Sequence, residues 1–460
     1  MELPQKRLRI YIPMKYPITI AAFFLFTSTS IFAQTNLDKA IDAALPDLVT
    51  TYKTIHASPE LSGYEEQTSA RIASRLKSLG YEVTDHIGKF QNKPWKGYGV
   101  VGRLKNGKGP VVMVRTEMDA LPLVEKTGLP YASTVKVKND AGELGVMHSC
   151  GHDIHMAIFL GCAKILAERK DEWRGELLLV AQPAEEAGPG GSGAEAMLND
   201  GLYVNFPKPD YVLGLHQTPA LIAGQVALLQ GYSNAVSGAG EIVVRGVGAH
   251  PARPQDAKDP VVISAELILA LQTIVSRETN PFDPVSLTIG VIQGGTAANI
   301  IPDEVRLKFN VRALSNEVYD KTIASITRMA RGVAITAGVP EDRMPVVTSV
   351  RGYPANYNDP ALTARISNVL KKTMGESNVT TAKPVLTGED FSYYSLEKKI
   401  PSLFFTIGSS DSVKYAESIK TGIPLPSNHS PTMVPVPDGT IKTGVKAMTT
   451  AVFELLNTRR

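Results

Sequence analysis

Read for its spacing of apolar and polar positions, the chain carries a helical region from Leu37 to Gly80, in which Gln67 to Leu79 is amphipathic and Gly80 is the stop. Short apolar runs then alternate with helical patterns: Val111 to Val114, Ile158 to Leu166, Leu177 to Ala181, Ala194 to Leu198 and Tyr211 to Leu215. That rhythm predicts a mostly parallel sheet flanked by helices. Near residue 231 the pattern changes. Glu241 to Arg245 alternates like a half-exposed strand, Pro260 to Arg277 is a long helical stretch, Ser286 to Ile292 and Val305 to Val311 read as strands, and Asn316 to Gly338 as a second helix. Strand, helix, two strands, helix is the content of a small ferredoxin-like α+β sandwich, so residues 231–350 are expected to form an inserted domain. Apolar runs resume at Leu403 to Ile407, and a helix over Thr440 to Leu456 closes the first domain, which is thus divided into 34–230 and 351–460.

The size supports this division, since 460 residues with 43% hydrophobic positions exceed what one core comfortably holds. The formal charge of +3 is mildly basic, but Lys6, Arg7, Arg9 and Lys15 lie before residue 34 against Glu2 alone, which leaves the rest of the chain neutral. Without clustered Lys and Arg there is no electrostatic footprint for nucleic acid. The basic stretch is followed by the apolar run Ile18 to Phe32 and the small residue Ala33, the layout of a secretory signal over 1–33, so the chain is expected to be exported, to the periplasm or out of the cell. Met14 followed by Lys15 is an alternative start. The rival reading is a membrane anchor; Thr27, Ser28, Thr29 and Ser30 interrupt the run and leave it short of the ~20 residues a span needs. No other stretch reads as transmembrane.

Cysteine usage narrows the chemistry further. With a helix over Ile154 to Lys170, Cys150 and Cys162 stand roughly 15 to 18 Å apart at 1.5 Å per residue. A disulfide needs Cα atoms within about 7 Å. Cys162 is therefore expected in the core, and Cys150 is left for other chemistry.

The densest chemistry is His148-Ser149-Cys150-Gly151-His152-Asp153-Ile154-His155, which gathers thiol, imidazole and carboxylate, the ligands of zinc and its neighbours. A single histidine there would read as a satisfied polar turn; the cluster does not. Glu185 and Glu186 follow the apolar run Leu177 to Ala181. A Glu-Glu pair alone is usually a solvated turn, but past a strand end the two can divide labour, one binding metal and the other serving as general base. Arg115-Thr116-Glu117-Met118-Asp119 follows Val111 to Val114, and His216 follows Tyr211 to Leu215, so three strand ends deliver metal-competent residues to one edge, where ligands of open α/β sheets gather. His429, in Ser427-Asn428-His429-Ser430-Pro431, reads equally as a surface loop histidine or a ligand.

From about residue 46 onward the chain resembles the M20 metallopeptidases, and among them the amidohydrolase branch of hippurate hydrolases, N-acyl amino acid deacylases and auxin-conjugate hydrolases. The resemblance rests on His56-Ala-Ser-Pro-Glu-Leu-Ser62, Met118-Asp-Ala-Leu-Pro122, His148-Ser-Cys-Gly-His-Asp153, Pro183-Ala-Glu-Glu186, Gly214-Leu-His216, Asn299-Ile-Ile-Pro302, Gly388-Glu-Asp-Phe391 and His429-Ser-Pro431. It implies a zinc-exopeptidase-like catalytic domain and an inserted lid and dimerisation domain. It also implies that Cys150, His152, Glu186, His216 and His429 bind a pair of divalent ions (Zn, Mn, Co or Ni), that Glu185 is the base, and that Asp119 supports the ligands. In the inserted domain, Gly248-Ala-His-Pro-Ala-Arg-Pro254 would place His250 to reach the active site of a partner subunit in a homodimer and stabilise an oxyanion. Asn299 and Arg312 would meet the substrate carboxylate. Departures from the branch are Glu117, where aspartate is commoner, Gln255, where histidine is, and Gln217-Thr218, where aromatic neighbours are; the last two bear on substrate preference.

The expected activity is metal-dependent hydrolysis of the amide bond in a small acylated amino acid or dipeptide. Two rivals stand beside it: an aminopeptidase or carboxypeptidase of another M20 branch, and a non-catalytic periplasmic protein that binds metal or amino acids. The latter has no need of a base beside a full ligand set.

Overall fold

The computed structural model describes residues 20–457 except 140, 141, 189, 397 and 398, with side chains from residue 36 onward, that of 139 excepted. The expected signal over 1–33 lies outside the described side chains.

Helices α1 (Ile20–His56) and α2 (Glu66–Ser78) make up the expected helical region. It is broken at Pro59, which disfavours helical backbone at the residue before it. In α2 the buried residues Ser69, Ile72, Ala73 and Leu76 recur at helical spacing. The chain continues through β1 (Glu82–Ile87), β2 (Gly99–Asn106), β3 (Val111–Glu117), the hairpin of β4 (Lys136–Asn139) and β5 (Gly142–Gly145), α3 (His152–Glu168) and β6 (Gly175–Gln182). Next come α4 (Gly193–Asn199), α5 (Leu202–Asn205), β7 (Tyr211–Ile222), β8 (Val226–Leu228) and β9 (Gly231–Asn234). After the second domain, β14 (Asn356–Asn358), α8 (Pro360–Met374), β15 (Val379–Thr381), β16 (Ser402–Ser410), α9 (Ser412–Thr421) and α10 (Pro437–Leu456) complete the first; β10 to β13 lie between.

Eight strands form the main sheet, in the order β1-β2-β6-β3-β7-β16-β8-β15. Its centre, β6, β3, β7 and β16, is parallel. Leu177 to Ala181 of β6 are all fully buried, because helices cover both faces and the strand can be apolar without alternation. One core lies under α1, α3 and α10, and another under α4 and the 391–404 region. At Gly161 of α3 a Cβ would stand 2.6 Å from Val445 and 2.7 Å from Leu48, so a glycine lets α3 nest between α10 and α1.

The separate small domain consists of β10 (Val236–Arg245), α6 (Pro260–Thr273), β11 (Val285–Gly294), β12 (Glu304–Ala313), α7 (Asn316–Thr336) and β13 (Val346–Arg351). Its sheet, in the order β11-β12-β10-β13, is antiparallel throughout, the ferredoxin-like arrangement. The fourth strand, β13, is an addition to the content read from sequence. It is an edge strand exposed along nearly its whole length, so its residues carry no alternating pattern. β9 and β14 pair with each other, which brings the chain's way into the small domain alongside its way out.

Candidate active site

Cys150 and His152 flank Gly151, the cap of α3, which has φ 96°. A Cβ at Gly151 would stand 2.5 Å from Cγ of Gln217, so both the left-handed backbone and the close approach call for glycine. Glu185 and Glu186 follow β6 in a turn whose Ala184 has φ 50°, a strained position for a residue with a side chain. His216 is not at the end of its strand as expected. β7 continues to Ile222 because β16 pairs with it that far, whereas β3 pairs with it only through Leu213. His216 therefore lies where β3 and β7 part, still at the carboxyl edge. The His429 N–H donates to the Ser149 carbonyl at 2.8 Å, which ties the 427–431 loop to the Cys150 loop.

These elements bring all five candidate ligands together. Ligating atoms of Cys150, His152 and His216 lie within 4.8 Å of one another, as do those of Cys150, Glu186 and His429, and those of His152, Glu185 and Glu186. Cys150 Sγ is 3.3 Å from His216 Nε2, and His429 Nε2 is 3.0 Å from Glu186 Oε1.

Hydrogen bonds behind the cluster fix which ring nitrogens face it. His152 Nδ1 is 2.8 Å from the Asp119 carbonyl oxygen, and His216 Nδ1 is 2.7 Å from that of Gln217. A carbonyl only accepts, so Nδ1 carries a proton in both rings, and each ring turns its Nε2 toward the cluster. His152 Nε2 is buried without a hydrogen-bond partner. His155 differs. Its Nε2 accepts from the Gln217 N–H at 2.8 Å and its Nδ1 meets Glu117 Oε2 at 3.1 Å, so both nitrogens are committed although Glu117, His152 and His155 also cluster.

Negative charge predominates. Burial, then Glu389, Glu186, Asp390 and Asp119, push Glu185 well above the usual carboxylate range. Burial, then Glu186 and Glu185, push the Cys150 thiol up. Burial lowers His152, but Asp119, Glu117 and Glu186 outweigh it and hold the ring at about 10. Burial and His155 bring His216 down to about 3, while the hydrogen bond with Glu186 raises His429. A thiol and two carboxylates at a buried site, with an orphaned imidazole nitrogen among them, fit the divalent cations that would compensate them. Asp119 braces the set: it accepts from Ser62 Oγ at 2.6 Å and from the Glu186 N–H at 2.9 Å.

The remaining sequence candidates lie apart from this cluster. His250 is exposed in the small domain, its Nδ1 accepting from the Ala252 N–H at 3.1 Å. Asn299 is exposed between β11 and β12. Arg312 donates to the Leu386 carbonyl at 2.7 Å, beside the Gly388-Glu-Asp-Phe391 loop.

Sequence reasoning assigned no role to several groups that shape the site. Buried Arg115 binds Glu117, Glu389 at 3.0 Å and Asp390 at 2.7 Å. Burial pushes Glu389 up to about 8 even so. Gln217 donates through Nε2 to the Cys150 carbonyl at 2.8 Å and to Asn428 Oδ1 at 2.7 Å, and its Oε1 accepts from Ser409 Oγ at 2.6 Å. Gln217 thus bridges the loops of Cys150 and His429. Glu65, buried, accepts from the Ala184 N–H at 2.8 Å.

A mostly parallel sheet with a ligand set of this kind at its carboxyl edge defines a class: hydrolases built around a metal-binding centre. Within it, the chain belongs to peptidase family M20/M25/M40, whose model matches residues 113–423. It is 39% identical to the hippurate hydrolase of Campylobacter jejuni over 353 residues, 76% of this chain and 85% of that one. It is 35% identical to the N-acetyl-L-cysteine deacetylase of Bacillus subtilis over 363 residues, 79% of this chain and 80% of that one. Among solved structures, the YXEP protein of Bacillus subtilis, a dinuclear metal-binding peptidase from the M20 family, superposes with a TM-score of 0.70 at 26% identity, covering 89% of this chain and 98% of that one.

Proposed function

We propose that this chain hydrolyses the amide bond of N-acyl amino acids, with small peptides as the neighbouring substrate class. The observation that carries the reading is that the five candidate ligands fall in two triads sharing Cys150, with the Glu185 carboxylate grouped beside them with His152 and Glu186. Cys150, His152 and His216 would hold one divalent ion, and Cys150, Glu186 and His429 the other, each being Zn, Mn, Co or Ni. Such ions, when bound, acidify a water and polarise the amide carbonyl.

Glu185 accepts a proton from the attacking water and delivers it to the departing amine. Burial and the neighbouring carboxylates push Glu185 up; divalent cations beside it would favour its ionised form and so free it to accept the proton. Asn299 and Arg312 meet the substrate carboxylate, and His250 reaches the site of a second subunit to donate to the developing oxyanion. The names of the relatives, a hippurate hydrolase and an N-acetyl-L-cysteine deacetylase, support the substrate class.

A homodimer through the small domain accords with its surface. Leu269 on α6 is 72% exposed and Ile292 on the edge strand β11 is 64% exposed, apolar groups that a second subunit would cover. Pro260–Glu278 is also long and apolar enough to cross a membrane by composition. Its packing against β12 and α7 within the small domain favours the subunit interface. The N-terminal signal expected over 1–33 makes the enzyme exported, periplasmic or secreted.

The test is turnover of a panel of N-acetyl and N-benzoyl amino acids and dipeptides, with Mn or Zn and with chelator. Metal-dependent release of the acyl group supports the proposal. Release of terminal amino acids from unacylated peptides would favour the peptidase branches, and two bound metals without turnover on any amide would favour a binding protein.

A further inference from the structure

The turn that carries Glu185 is pinned at four of its backbone groups. The Ala184 N–H is held by Glu65 at 2.8 Å, the Ala184 carbonyl by the Gly193 N–H at 3.1 Å, and the Glu186 N–H by Asp119 at 2.9 Å. The Glu185 carbonyl accepts from the hydroxyl of Tyr353, which itself accepts from the Gly188 N–H at 2.9 Å. The hydroxyl has one proton, and it is committed to a carbonyl. Tyr353 therefore acts on the chemistry through the backbone of the base.

Its place in the chain gives this contact its meaning. Tyr353 is two residues past β13, where the chain returns from the small domain. Gly352 N–H donates to the Ser237 carbonyl at 2.7 Å, at the start of β10, and the Ala355 N–H to Asn316 Oδ1 at 3.1 Å, at the start of α7. The ring lies over Gly388, whose Cβ, if present, would stand 3.4 Å from Tyr353 Cδ2 and 3.3 Å from Ser237 Oγ.

We propose that Tyr353 is a positioning residue for Glu185, fixing the base from the junction of the two domains. This rests on the hydrolase reading above. Proton transfer depends on sub-ångström placement of the base, whereas ground-state binding of substrate uses other groups. Loss of the hydroxyl should therefore lower kcat and spare KM.

The experiment compares the full-length wild type with Tyr353→Phe and Gly388→Ala on the best substrate of the acyl amino acid panel, with metal content measured on each sample. The expected result for Tyr353→Phe is a kcat at least about tenfold lower, with KM within about twofold and metal content unchanged. Gly388→Ala keeps the hydroxyl but sets a methyl against the ring and 3.3 Å from Ser237 Oγ, so that the segment must shift slightly, and should show a smaller fall in kcat, also without a change in KM. It gives the answer if Tyr353→Phe does not fold. Wild-type kcat per metal-loaded centre in the folded variants would overturn the proposal, as would a fall explained entirely by lost metal. A wild type inactive on every amide would overturn the hydrolase reading itself, and the proposal with it.

Discussion

The amide of Gln217 joins three segments through the Cys150 carbonyl, Asn428 and Ser409. Gln217→Leu keeps much of the volume and removes the amide, leaving three groups without their partner. At roughly 1–1.5 kcal/mol for each, the metal-free chain should lose about 3–4.5 kcal/mol. The loops of Cys150 and His429 should also lose their common brace, and metal affinity should fall about 10- to 100-fold, the range seen when groups supporting ligands are removed. Urea unfolding in the presence of chelator reads the first quantity, and competition with a metal-binding dye reads the second. A variant that binds metal as tightly as wild type would refute the idea that Gln217 holds the two loops in register.

Further outcomes follow from the same geometry. His216→Ala should lose one metal equivalent by elemental analysis, whereas His155→Gln should keep both, because both His155 nitrogens are engaged by protein. Arg115→Met leaves Glu117, Glu389 and Asp390 buried without their cation and should cost about 3–5 kcal/mol in urea unfolding at neutral pH. Glu65, held at about 8 by burial and by Asp119, prefers its proton in the folded chain. Its stabilising contribution is complete below the ordinary carboxylate pKa and is lost as pH rises toward 8. Glu65→Gln should therefore flatten the decline in stability of the chelated protein from about pH 5 to pH 8, and an unchanged slope would show that the group titrates normally.

The sequence made the main sheet legible because its central strands are buried on both faces and read as unbroken apolar runs between helices. Most of the ligand cluster was legible because Cys150 and His152 are close neighbours in the chain and Glu186 and His216 follow such runs; His429, alone in its loop, read equally as a surface histidine. β13 was not, since an exposed edge strand needs no alternation. Neither was the extension of β7 past His216, which depends on pairing with β16, nearly two hundred residues away in sequence. The supporting residues escaped for the same reason. Glu65, Gln217 and Tyr353 act through bonds to groups of segments distant in the chain, and such bonds leave no spacing to read. Glu389 and Asp390 stood in a quoted motif, but their role depends on Arg115, which only the sheet register brings to them.

The central claim is that Glu185 is the base at a two-metal centre, and the Glu185→Gln variant tests it most directly. Turnover of the best N-acyl amino acid and metal content per chain should be measured on wild type and variant together. The account predicts two metal ions per chain in both, and turnover in the wild type alone. Turnover that survives in the variant with its metals in place would contradict it.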